Sequence, residues 1–300
     1  MLDYLKLLYF LISPRIIFVR RTSNALGDNI LLTALLPSIC KKWPQHKIIL
    51  ETPIPELFQN NPHVHWVTTK HIKTTKRHIK PKYSVVNGNE PAFIVQMHSY
   101  IGLNCTSGPQ LFLTSKECRV AKERFAFPYI TICPVGKTGF SANRKEWGFE
   151  NFKELISLLS DYRFVQIGLE EDALLPGVED ARGLSIRATA AVIRNSILFI
   201  GLEGGLMHLA KSVGRASAII YGGYIRPEIS GYTDNLNINR SVHCSPCYSS
   251  ERASSDCPIM ICMKQILPYS VYQQVIEFIS EKAIPNQNKE QHKERVSECY

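Results

Sequence analysis

The stretch Ile197-Leu198-Phe199-Ile200-Gly201-Leu202-Glu203-Gly204-Gly205-Leu206-Met207-His208-Leu209-Ala210 decides the fold. Its first half is a short apolar run that closes on glycine, the pattern of a buried strand. Its second half opens on a glycine pair and continues with helical spacing through residue 213. A buried strand that turns through glycine into a helix is one βα unit of a parallel sheet. The same alternation recurs on both sides. Upstream, Ile16-Ile17-Phe18-Val19-Arg20 reads as a strand, Asn24-Ala25-Leu26-Gly27 as a turn, and residues 28–41 as a helix. Lys47-Ile48-Ile49-Leu50 and Val64-His65-Trp66-Val67 are further strands. A second series starts at Tyr129-Ile130-Thr131-Ile132-Cys133 and continues through a helix over 151–159. It then has strands at Phe164-Val165-Gln166-Ile167-Gly168 and Ala218-Ile219-Ile220-Tyr221-Gly222, with a helix over 186–194 between them. The reading is therefore α/β, in two halves, with the boundary between residues 114 and 127.

Length and composition agree. The chain has 300 residues, 45% of them apolar and 20% charged, which excludes a disordered chain, a collagen and a coiled coil. At roughly 100–200 residues per domain, two domains are expected. The division predicted is 1–118 and 119–285, with a polar, frayed tail over 286–300. Lys+Arg is 35 against 26 Asp+Glu, a formal charge of +9. Nine cysteines are an odd number and too few for a disulfide scaffold, which favours a reducing, cytoplasmic setting. The apolar run at residues 1–12 falls short of the about 20 needed to span a bilayer. It reads as an amphipathic helix that packs on the domain or rests peripherally on a membrane surface.

The chemistry concentrates at the glycine turn. Gly204 and Gly205 let backbone approach a ligand, and the N–H groups at the helix start suit a phosphate. His208, one turn further, can donate to a phosphate or a sugar hydroxyl. A tight βα turn with a histidine satisfied in the core fits the same residues.

Four segments, in this order, resemble glycosyltransferase family 9, the heptosyltransferases of lipopolysaccharide biosynthesis and their relatives. They are Leu26-Gly27-Asp28-Asn29-Ile30, Lys145-Glu146-Trp147, the turn Glu203-Gly204-Gly205 with His208-Leu209-Ala210, and the cysteine element from Cys244 to Cys262. The resemblance implies the GT-B architecture: two Rossmann-like domains facing across a cleft, the first holding the acceptor and the second the nucleotide-sugar donor. It implies an inverting transfer without a catalytic metal, with ADP-heptose as the favoured donor. The acceptor it implies is an acidic lipopolysaccharide core or a protein hydroxyl.

Residue by residue, the resemblance makes Asp28 the base, next to Gly27, and Lys145 the cation that reaches the diphosphate. Asp28 also fits an acid that satisfies N–H groups in a first helical turn. Ser141 and Arg144 flank Lys145 and can add hydrogen bonds; an exposed loop suits Arg144 as well. Glu170, after a strand end, can accept from ribose hydroxyls or stand in solvent. At the turn the family usually has Asp and often Thr, where this chain has Glu203 and Gly204. Those departures keep open a non-catalytic sugar-nucleotide-binding scaffold. A GT-B epimerase is the other competitor, but it needs a second acid/base pair.

Cys244, Cys247, Cys257 and Cys262 have the spacing of a tetrahedral thiolate site, for structural zinc or iron. A reduced loop with one or two buried thiols is the other reading. The resemblance to relatives that glycosylate autotransporter proteins favours iron. Residues 70–82 hold six Lys or Arg and no acid. They can grip an acidic acceptor or an anionic membrane, or form a solvated loop. Nucleic acid is not expected, since no recognition module surrounds them.

Overall fold

The computed structural model describes residues 13–21, 23–86, 88–105, 107–136, 141–248 and 255–282. The helix expected over residues 1–12 and the tail over 286–300 lie outside them. The chain divides into two compact units. The first takes residues up to Ser84 and Pro91–Thr114; the second takes Val85–Glu90 and everything from Ser115. Both are α/β, as the alternation predicts.

Unit 1 is built on four strands, β1 (Ile16–Arg20), β2 (Lys47–Glu51), β3 (Trp66–Thr68) and β4 (Arg77–Ile79), in the order β3-β2-β1-β4. All neighbours are parallel, with Phe18 opposite both Ile49 and His78. β1 is central and buried along Ile16–Val19, which is why it reads as an apolar run with no alternation. After β1 come two short helices, α1 (Leu26–Thr33) and α2 (Leu35–Lys42), where the sequence predicts one helix over 28–41. Pro37 is the physical reason: it has no N–H for the Thr33 carbonyl, so the ladder breaks at Ala34. Thr33 instead turns its hydroxyl to Ile30 O at 2.6 Å and accepts from Gln110 N.

The basic stretch holds a strand that its composition conceals. β4 lies at the sheet edge, and only its Ile79 is buried. Its basic residues are absorbed outward: the Arg77 guanidinium lies 5.1 Å from the centre of the Trp43 ring. Charged residues on an edge also discourage pairing with other chains.

Unit 2 carries six parallel strands: β5 (Ile130–Cys133), β6 (Phe164–Gln166), β7 (Glu179–Asp180), β8 (Leu198–Leu202), β9 (Ser217–Ile220) and β10 (Leu236–Ile238). Their order is β10-β9-β8-β5-β6-β7, so the sheet grows in both directions from β5 and β8. The edge strands β7 and β10 escaped the sequence reading, being only two and three residues long. Trp147 is buried in the main core, edge-on to Phe152, and its indole N–H donates to Ile266 O at 2.8 Å. That single bond ties the segment after Lys145 to the approach of the last helix, Pro268–Glu281. Among the described residues no helix is long and apolar enough to cross a membrane.

Candidate functional site

In unit 2, β8 delivers Glu203 and Gly204 at its carboxyl end, and a helix runs over Gly205–Ser212. Carboxyl ends of parallel strands are where open α/β sheets bind ligands. Gly204 has φ 152°, a backbone region closed to side chains, and a Cβ built on it meets nothing within 4 Å. The space above this turn is open. Glycine is thus required by the backbone, and the open face lets a ligand reach the N–H groups of the helix start.

Lys145 ends a short 3₁₀ turn over Ala142–Lys145. Its Nζ lies 2.5 Å from Glu203 Oε2 and 4.9 Å from the centre of the Tyr224 ring. Glu203 is almost wholly buried. Burial opposes its charge, yet the Lys145 ammonium, with His208 nearby, holds the carboxyl below its ordinary range. A cation held between a carboxylate and an aromatic face can turn toward a phosphate without leaving its pocket. Neither Tyr224 nor the Lys145–Glu203 pair carries a signal in the spacing of the sequence.

His208 is buried, with Nδ1 2.7 Å from the Tyr232 hydroxyl and the two rings edge to face. Burial pushes the Tyr232 phenol well above its ordinary value, so it stays protonated. The arrangement matches a histidine fixed in the core behind the turn. Arg144 is also buried: its Nε donates to Ser255 O at 2.7 Å and its Nη2 to Ser255 Oγ at 3.3 Å. Asn143 joins the same seam, donating to Cys257 O and accepting from Cys257 N. Arg144 therefore anchors the cysteine loop rather than standing in solvent. Ser141 is buried at the start of this turn. Glu170 is exposed on the loop after β6.

Cys244, Cys247, Cys257 and Cys262 are free thiols. Cys247 is half-buried, and burial pushes its thiol up. The Met260 N–H donates to Cys257 Sγ at 3.4 Å and holds that thiol down. Among the described residues no three His, Cys, Asp or Glu side chains form a group that could hold a metal. The iron or zinc site read from the spacing thus finds no support in this geometry. Two of the sulfurs have backbone partners: Cys247 Sγ donates to Cys244 O, and Cys257 Sγ accepts from Met260 N.

In unit 1, Asp28 is the third residue of α1. At the helix start the Ala25 N–H donates to Ser23 Oγ at 3.1 Å, not to Asp28. Instead Arg21 Nη2 lies 2.6 Å from Asp28 Oδ2, and the Tyr83 hydroxyl donates to Asp28 Oδ1. Tyr83 is itself stacked on Phe93, with ring centres 4.0 Å apart, and lies under the Arg21 guanidinium. The carboxylate is therefore fixed from both sides, with acceptor capacity left on each oxygen. Arg21 and Tyr83 were not legible as its partners. Gly27 precedes Asp28 within the same turn.

Comparison with known proteins bears on this arrangement. Residues 76–257 match the model of glycosyltransferase family 9 (heptosyltransferase). That span includes Lys145, the Glu203–His208 turn and three of the four cysteines, and it leaves out Asp28. No curated protein sequence matches the chain. Among solved structures, the iron-containing dodecameric glycosyltransferase TibC from enterotoxigenic E. coli superposes with a TM-score of 0.72 at 18% identity, covering 90% of this chain and 77% of that one. The family 9 glycosyl transferase from Veillonella parvula gives 0.70 at 16% identity, over 90% and 98%. E. coli ADP-heptose lps heptosyltransferase II gives 0.65 at 15%, over 90% and 99%. These three share the fold. The family model spans well over half of the sequence, and by that match the chain belongs to glycosyltransferase family 9.

Proposed function

We propose that the protein transfers a heptose from ADP-heptose to a hydroxyl of a lipopolysaccharide core or a protein, with inversion at the anomeric carbon. The observation that carries this is the turn at Gly204: open backbone at a strand end, with the Lys145 cation beside it, inside the span matched by the family model. TibC has been solved in complex with ADP-D-beta-D-heptose, which makes that donor the first to test.

In this reading the N–H groups after Gly204 and the Lys145 ammonium take the diphosphate. Asp28 accepts the proton of the acceptor hydroxyl as its oxygen bonds to the anomeric carbon. The bond from that carbon to the diphosphate oxygen breaks, and ADP leaves with the electron pair. Arg21 and Tyr83 keep the Asp28 carboxylate aimed while it waits. Glu203 holds Lys145 until phosphate charge competes for it. The site of action is the cytoplasm or the cytoplasmic face of a membrane.

A second reading has one observation behind it. Glu203 already neutralises Lys145, which lessens the positive charge offered to a leaving diphosphate. That suits a scaffold that binds sugar nucleotide without turnover. Asp28→Ala separates the two. In the enzyme it abolishes transfer while donor binding stays intact; a scaffold has no transfer to abolish.

A further inference from the structure

The chain passes between the two units three times, and two of the crossings bracket one short strap. It leaves unit 1 after Ser84, packs Val85–Glu90 with unit 2, and returns at Pro91. The foot of the strap is closed in unit 1. Tyr83 and Phe93 stack across it, the Ser84 N–H donates to Gln96 Oε1 at 3.0 Å, and Gln96 Nε2 donates to Pro91 O at 2.7 Å. Inside the strap, the Glu90 carboxylate takes the Val86 N–H at 2.7 Å and the Gly88 N–H at 3.0 Å. A loop closed on itself in this way is an Ω-loop. Its crown is clasped by unit 2. Gly88 is buried at φ 80°, and a Cβ on it would collide with the Pro246 ring. Glycine alone suits both that backbone and that close approach. Beside it, Arg226 Nη1 donates to Asn89 Oδ1 at 2.7 Å. The segment that carries Pro246 is laid along residues 223–224: Cys247 N donates to Gly223 O and Tyr248 N to Tyr224 O. Tyr224 is the ring that faces Lys145.

The foot of the strap lies where the carboxylate is held, since Tyr83 donates to Asp28. A tether fixed at its foot in one unit and at its crown in the other passes displacement of the crown to the foot, and the bonds to Glu90 take up the slack. We propose that the strap is a positioning element: unit 2 clasps its crown through Pro246 and Arg226, and that clasp keeps the Tyr83 hydroxyl on Asp28. The proposal rests on the reading of Asp28 as the base and adds what governs it. The unit that carries the Gly204 turn thereby holds the partner of the base in the other unit. A loosened crown frees the Tyr83 hydroxyl, and the carboxylate loses one of the two groups that aim it.

The test is brief acetylation of tyrosine hydroxyls in the full chain with N-acetylimidazole, read by mass spectrometry, beside amide hydrogen exchange over residues 84–92. Gly88→Ala drives a methyl into Pro246. It should raise exchange across the strap and acetylation of Tyr83 about tenfold each, while the exposed Tyr100 keeps its rate. Arg226→Ala should act in the same direction by about threefold, as suits an exposed hydrogen bond. It carries the test if Gly88→Ala does not fold. Faster exchange without faster acetylation of Tyr83 overturns the proposal, and so does unchanged exchange in both variants. Turnover gives the second readout. Gly88→Ala should lower kcat about tenfold with ADP affinity unchanged, and should lower it no further in Tyr83→Phe. An added loss in that background overturns the action through Tyr83. If the wild type transfers no sugar, the acetylation result still decides the strap, and the failure falls on the transfer reading.

Discussion

Lys145 and Glu203 form a buried ion pair, Nζ to Oε2 at 2.5 Å, beside the Gly204 turn, whose backbone demands glycine. The pair couples the stability of the unit to the chemistry proposed for it. Glu203 cannot be stripped of its partner without leaving a charge in the core.

Lys145→Met should therefore cost about 3 kcal/mol of unfolding free energy, and the double change Lys145→Met, Glu203→Leu should recover most of it. Urea unfolding measures both. The pH dependence gives the sign. In the native protein the Lys145 ammonium holds the Glu203 carboxyl below the ordinary glutamate value, against its burial. The unfolded chain then binds the proton first as pH falls, so stability is present above about 4.5 and is lost on further acidification. In Lys145→Met burial, the largest influence on the carboxyl, is opposed only by His208 and Ser230, so its pKa rises and stability increases as pH falls from 7 toward 5.

Gly204→Ala should cost about 1–3 kcal/mol through backbone strain alone, since no neighbour clashes with a new Cβ. It should also weaken ADP binding, because the methyl enters the open space above the turn. Gly214→Ala is the control: positive φ, open space, and no effect on ADP. Unfolding and nucleotide titration on the two variants separate strain from site.

How much of this the sequence carries depends on the reach of each signal. The β8 strand, its glycine turn and the following helix are local, and periodicity with punctuation is enough to read them. β4 is not legible because three residues cannot display a period and two of them are basic. Asp28 is legible as an acid at a helix start, but its partners Arg21 and Tyr83 are brought to it by the sheet edge and by ring stacking on Phe93. Arg144 reads as a loop cation because nothing local announces the Ser255 carbonyl it serves. The four cysteines show the limit of spacing. Spacing says where thiols sit along the chain, while backbone donors such as Met260 N decide where the sulfurs point.

Arg144→Ala should lower stability by about 2 kcal/mol, the worth of its charged hydrogen bonds to Ser255. It should also speed thiol labelling of Cys257, whose loop it anchors, and leave ADP affinity unchanged. Labelling with a thiol reagent followed by peptide mapping checks the second effect.

Tyr83→Phe removes the hydroxyl that donates to Asp28 and keeps the ring on Phe93. Turnover should fall about tenfold with donor affinity unchanged, while Asp28→Asn should cost about 10²–10⁴ in kcat. Steady-state kinetics with a calorimetric check on donor binding tests both.

The most direct measurement is calorimetric titration of the purified protein with ADP-heptose at one fixed salt, with UDP-sugars as controls. The account predicts saturable binding of ADP-heptose, no binding of the UDP-sugars, and marked weakening in Gly204→Ala. Binding of a UDP-sugar in its place, or an ADP-heptose isotherm untouched by Gly204→Ala, would contradict it.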